Sequence, residues 1–145
     1  MDWQFARFDD LTPRALYAML QARQDVFILE QQCLFADIDD ADKDAHHLLG
    51  WREGRLVVYL RIFAPGLKHD DIAIGRVLST REVRRTGAGR DLMGEGIRLA
   101  EALYPGARIR IGAQLYLEKF YESFGFTTVS EPYDEDGIPH VEMRR

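Results

Sequence analysis

The stretch from Ile72 to Leu103 constrains the fold of this chain more than any other. An apolar run from Ile72 to Thr80 reads as a strand. A joint rich in arginine and glycine follows. Then Leu92, Met93, Ile97, Ala100 and Leu103 recur at spacings of three and four, the stripe of an amphipathic helix. Tyr104-Pro105-Gly106 stops that helix, and Arg108-Ile109-Arg110-Ile111 alternates strictly, so another strand comes next. A strand, a charged loop, a helix and a strand in this order demand a sheet with a helix packed on it.

The rest of the chain fits around that unit. Trp3 to Phe8 alternates apolar and polar residues and reads as a half-buried strand. Thr12 can cap a helix that Pro13 opens, with Leu16, Met19, Leu20 and Phe27 on one stripe and an end near Glu30. Gln31 to Ala45 is acidic and aperiodic and reads as an irregular surface segment. His47–Trp51 and Leu56–Phe63 flank Glu53-Gly54-Arg55 as a hairpin. Leu117, Phe120, Tyr121 and Phe124 mark a short helix with Gly125 just past its end. Residues 126–129 and 140–143 read as closing strands joined through the Asp136-Gly137 turn. Hairpins beside strand–helix–strand units give an α/β (α+β) class: a mixed, central twisted β-sheet of about six to seven strands flanked by helices.

At 145 residues and 46% hydrophobic content, the chain fits one domain, residues 1–145, with a sizeable core. A formal net charge of -5 disfavours a general nucleic-acid partner. No stretch approaches the roughly 20 apolar residues that span a bilayer, so no membrane role is expected. The N-terminus lacks the charged and apolar regions of a secretory signal. The single cysteine, Cys33, suits a reducing, cytoplasmic setting, and exposed strand edges would support a homodimer.

The joint carries Arg81, Arg84, Arg85 and Arg90 within ten residues, together with Gly87 and Gly89. A helix N-terminus offers unpaired N–H donors and the positive end of a dipole. Glycine lets the backbone approach phosphate oxygens, and arginine adds forked donors. Such a loop can bind an anion, although glycines at a helix start also serve packing alone. The dinucleotide fingerprint fails because Leu92 stands where a third small residue is needed, and the Gly-Lys-Ser/Thr of the P-loop is absent.

Arg84-x-x-Gly87-x-Gly89 after an apolar strand resembles the signature of the GNAT superfamily of N-acetyltransferases. Phe120-Tyr121-Glu122-Ser123-Phe124-Gly125-Phe126 resembles a second motif of that superfamily. Val26 to Cys33, Asp37-Ile38-Asp39, Ile74-Gly75-Arg76-Val77, Gly112-Ala113-Gln114 and residues 135–140 resemble its ElaA-like branch. The resemblance implies an acetyl-CoA-dependent transferase. The CoA pyrophosphate would lie on Arg84, Arg85, Thr86, Gly87, Ala88, Gly89 and Arg90. The pantetheine arm would lie along the backbone of Val77, Leu78 and Ser79, with Gln114 nearby. No metal is implied. The acceptor would be a primary amine, attacking in a ternary complex.

That chemistry needs a neutral amine, a polarised thioester carbonyl and a proton for the leaving thiolate. The backbone N–H of Leu78 is the expected carbonyl donor, and Tyr121, protonated at neutral pH, is the expected acid. Tyr121 also lies on an apolar stripe, where a plain core role is the competing reading. The strand from Ile72 to Leu78 carries no carboxylate that could act as base. Glu30, His46, His140 and a chain of waters are the alternatives. A CoA-binding sensor with little turnover is the competing function. The acidic run Asp37 to Asp44 fails the calcium-loop pattern and reads as a solvated loop, with Asp37 or Asp39 available to attract a cationic amine. Cys33 lacks an activating neighbour in sequence and reads as a small buried hydrophobe.

Overall fold

A computed structural model describes all residues from Met1 to Arg145. The strands are β1 (Asp2–Arg7), β2 (His46–Arg52), β3 (Arg55–Phe63), β4 (Ile72–Ser79), β5 (Ile109–Gln114), β6 (Thr127–Thr128), β7 (Tyr133–Glu135) and β8 (Ile138–Arg144). The helices are α1 (Pro13–Arg23), α2 (Ala88–Leu103) and α3 (Glu118–Glu122). One mixed sheet of eight strands runs β1-β2-β3-β4-β5-β8-β6, with β7 also paired to β8. Only β4 and β5 run parallel, as a crossover through α2 requires.

Local signals place the first helix as its sequence demands. Thr12 Oγ1 accepts from the Ala15 amide at 3.1 Å, and Pro13 takes the first turn. Beyond Arg23 the helix widens into a π-helical segment, Gln24–Glu30, before the chain turns away. Met19 and Val26 bury their side chains on the face of the sheet that also carries Leu49, Tyr59 and Leu78. On the other face, α2 packs Leu92, Met93, Ile97 and Ala100 into the larger core with Leu60, Ile62 and Ile111. Gly96 allows that approach: a Cβ there would stand 2.7 Å from Leu60 Cδ2.

Two features part from the sequence reading. The Asp136-Gly137 turn does not link β6 to β8; it links β7 to β8, and β6 pairs with the far end of β8. The sheet therefore has one strand more than the upper expectation. The second departure is the acidic run. It is not a solvated loop, because Asp37 and Asp42 are buried in a network of ion pairs. Arg23, fully buried, bonds Asp37 at 2.9 Å and Asp42 at 2.7 Å. Arg61 bonds Asp42 and Asp39, and Arg76 bonds Asp37 and Asp39. Three arginines thus neutralise three aspartates, which is the condition for burying either. His47 lies behind them: its Nε2–H donates to the Asp42 carbonyl, and its Nδ1 accepts from the Tyr59 hydroxyl.

Candidate active site in the forked sheet

The pairing of β4 with its neighbours makes the site. Against β3, Arg61 stands opposite Gly75 and Tyr59 opposite Leu78, so Arg76 and Val77 together face Leu60. This is a β-bulge, and Arg76 sits in it with φ at 51°. A bulge bends its strand. Pairing of β4 with β5 accordingly stops after Ile72–Ile109 and Ala73–Arg110. Beyond that point the two parallel strands part, and a cavity of about 1350 Å³ opens between them.

The fork leaves backbone groups free on the inner edge of β4. The Thr80 amide donates to Val57 of β3 at 2.9 Å. Antiparallel strands alternate the direction of their amides, so Leu78 also faces β3 while Val77 and Ser79 face the cavity. Leu78, the expected carbonyl donor, thus turns its N–H toward β3, and Val77 and Ser79 turn theirs toward the cavity. The Leu78 side chain still borders the cavity.

The loop after β4 frames the mouth. Arg85 and Gly87 adopt φ of 64° and 90°, and Gly87 caps α2 without any side-chain bond to the first-turn amides. Those amides therefore stay open to an anion. Arg81, Arg84, Arg85, Gly87, Gly89 and Arg90 line the cavity. Arg84 is fixed by the Ser79 carbonyl and by Glu30 at 2.5 Å. Arg90 lies over the rings of Phe120 and Phe124, at 5.6 and 5.1 Å from their centroids. Thr86 and Ala88 turn away from the cavity: the Thr86 hydroxyl bonds the Val83 carbonyl, and Ala88 packs in the core.

Across the fork stand Gln114, at the end of β5, and Tyr121 on α3. Tyr121 is buried and held edge-on between Phe120 and Phe126. Burial, aided by nearby Tyr116, raises its hydroxyl above the ordinary tyrosine value, so the proton stays in place at neutral pH. Gly125, at φ 89°, ends the helix under it. Tyr121 packs in the core and also borders the cavity.

The β7–β8 hairpin forms the far wall. Tyr133, Glu135, Asp136, Ile138, His140 and Glu142 all face the cavity. The Tyr133 hydroxyl donates to Glu142 at 2.5 Å, and Arg110 holds the other oxygen of that carboxylate at 2.9 Å. Gly112 provides the room, since a Cβ there would meet Glu142 Oε2 at 3.0 Å. The hairpin tip reaches the opposite arm, where the Cys33 thiol donates to the Asp136 carbonyl at 3.0 Å. Burial, with Asp136 and Asp134 adding to it, raises the Cys33 pKa, so the thiol is a poor nucleophile. Sequence reasoning missed Tyr133 and Glu142. Tyr133 lies on β7, which has three residues, and Glu142 alternates with buried Val141 and Met143 on β8, where the pattern marks a strand but not a site.

Of the proposed bases, Glu30 is held by Arg84 and His46 stacks on Phe5 away from the cavity. His140 lines it. Asp39 also lines the cavity, but Arg61 and Arg76 hold it, so it has no charge free for an amine. The sequence and the fold that carry this site have counterparts among known proteins. The acetyltransferase (GNAT) domain family matches residues 9–145. The chain belongs to the GNAT acetyltransferase family. Protein ElaA of Escherichia coli is 41% identical over 100% of this chain and 96% of its own length. A UPF0039 protein of Synechocystis is 40% identical over 99% and 94%. The crystal structure of an acyl-CoA N-acyltransferase from Pseudomonas aeruginosa superposes with a TM-score of 0.94, at 41% identity, over 99% of this chain and 98% of that one. This GNAT chain is accordingly an acyltransferase, of a fold that takes acyl-CoA as donor.

Proposed function

We propose that this GNAT protein transfers an acetyl group from acetyl-CoA to a primary amine by direct attack in a ternary complex. The observation that carries this reading is the fork itself: unpaired Val77 and Ser79 amides lie between an arginine-lined helix start and a buried, protonated tyrosine. The pyrophosphate would rest on the amides of Gly87 and Gly89 and on Arg84, Arg85 and Arg90. The pantetheine would run along Val77 and Ser79 as an added strand. The Val77 N–H would polarise the thioester carbonyl, and Tyr121 would protonate the leaving sulfur. The single cysteine, with no second cysteine in the chain to pair with, suits a reducing cytoplasm.

Thiol release from acetyl-CoA, measured with a panel of amines and peptides, tests the reading. Tyr121→Phe should lower kcat by about 100-fold or more, as loss of a general acid does, while leaving CoA affinity near wild type. Unchanged turnover would remove Tyr121 from the mechanism. A sensor role has one observation in its favour, the lack of a free carboxylate on β4. It would show as CoA-induced thermal stabilisation without thiol release by any amine.

A further inference from the structure

We infer that His140 is the base that takes the acceptor's proton, with Glu135 positioned to stabilise the imidazolium. This rests on the acyltransferase reading above. His140 stands on β8 opposite Gln114 of β5, 7% exposed, with its ring facing the cavity. Its Nδ1 lies 2.7 Å from the Ile138 carbonyl. A carbonyl only accepts, so Nδ1 carries the hydrogen and the neutral ring keeps its lone pair on Nε2. Nε2 is 3.2 Å from Glu135 Oε2. A carboxylate gains nothing from a lone pair; it gains a charge-assisted hydrogen bond once Nε2 is protonated. Tyr133 stacks on the ring at 5.9 Å and 28°, which fixes its plane.

His47 shows what a structural histidine looks like in the same sheet. Both of its nitrogens are bonded, and no carboxylate faces either one. The charged and titratable groups around His140 are Glu135 and Tyr133 on β7, Asp136 in the turn, Glu142 on β8 and Arg110 on β5. Glu142 is occupied by Tyr133 and Arg110 together. Cys33, across the cavity, gives its hydrogen to the Asp136 carbonyl.

The proton balance closes. The ammonium form of the amine loses one proton to Nε2. The freed lone pair attacks the thioester carbon, the C–N bond forms and the C–S bond breaks. Tyr121 protonates the sulfur, the second amine proton restores Tyr121, and His140 releases its proton to solvent.

Ethylamine is protonated at neutral pH, whereas 2,2,2-trifluoroethylamine, of similar size, is neutral. With acetyl-CoA at pH 7, His140→Gln should lower kcat/KM for ethylamine by about 100-fold or more, and for the fluorinated amine by less than about tenfold. Equal losses would overturn the assignment. Glu135→Gln should lower kcat/KM for ethylamine more than for the fluorinated amine without abolishing turnover, and equal losses would remove Glu135. A readout free of any acceptor is the nitrogen NMR of the full chain: neutral His140 should carry its hydrogen on Nδ1, and hydrogen on Nε2 would overturn the proposal. Failure of wild-type protein to gain stability with CoA would overturn the acyltransferase reading itself. A His140→Gln variant that binds CoA and acetylates both amines like wild type would overturn only the base.

Discussion

Two groups of arginines divide the labour in this acidic chain. Arg23, Arg61 and Arg76 lie buried or nearly so, each bonded to aspartates of the 37–42 segment. Arg81, Arg84, Arg85 and Arg90 crowd the start of α2, and Arg85 and Arg90 meet no carboxylate of the chain. The first group is complete within the protein and holds a segment down. The second keeps donors for something else. Charge alone does not separate the two; the whereabouts of the counter-charge does.

Breaking the first group should have the largest effect. Asp42→Ala leaves two buried guanidinium groups short of a partner and should cost about 3–5 kcal/mol of stability, read by denaturant titration. A loss under about 1 kcal/mol would mean that the network is solvated in solution. In the second group, Arg85→Gly removes a guanidinium at a position whose positive φ glycine accepts without strain. CoA affinity should fall about tenfold by calorimetry, close to 1.4 kcal/mol, with no loss of stability in the free protein. A destabilised free protein would erase the contrast between the two groups.

The smallest effect concerns pH. Burial, first of all, holds His47 below its ordinary pKa, so the unfolded chain takes its proton more readily than the folded one. Stability contributed by His47 should be full above about pH 6.5 and lost as pH falls below that value. In Asp39 and Asp42 burial opposes ionisation, but the hydrogen bonds from Arg61 and Arg23 outweigh it and hold both below the usual carboxylate range. Their share should persist until pH falls below about 4. Melting temperatures of wild type and His47→Gln between pH 8 and 5 should converge as pH falls. Parallel curves would show that another group carries the transition.

What the sequence revealed follows the range of the forces involved. Thr12, Pro13, Gly125 and the α2 stripe from Leu92 to Ala100 act within a turn or two of chain and stand where the pattern put them, whereas Leu103 at the end of the stripe is exposed. The arginine loop was legible for the same reason. The fate of Asp37 was not, because its partners Arg23 and Arg76 lie 14 and 39 residues away. β7 was not legible because a tyrosine and two carboxylates are too short a run to show alternation. The bulge hid between two apolar pairs, Ile72 with Ile74 and Val77 with Leu78, that each read as ordinary strand. With the bulge unseen, nothing in the strand pattern told which amides of β4 face β3 and which face the cavity.

That extra residue in β4 has a consequence for how such a chain tolerates change in length. Ile72, Ile74 and Val77 pack on the α2 side and Leu78 on the α1 side. Excising Arg76 would leave each of them on its present face, since the bulge exists to absorb one residue. The straightened strand would then be free to continue its ladder with β5. The hydrophobic core would keep its layers, and the space between the strands would zip shut. Whether this sheet is a wall or a vessel depends on a count of residues rather than on their kind.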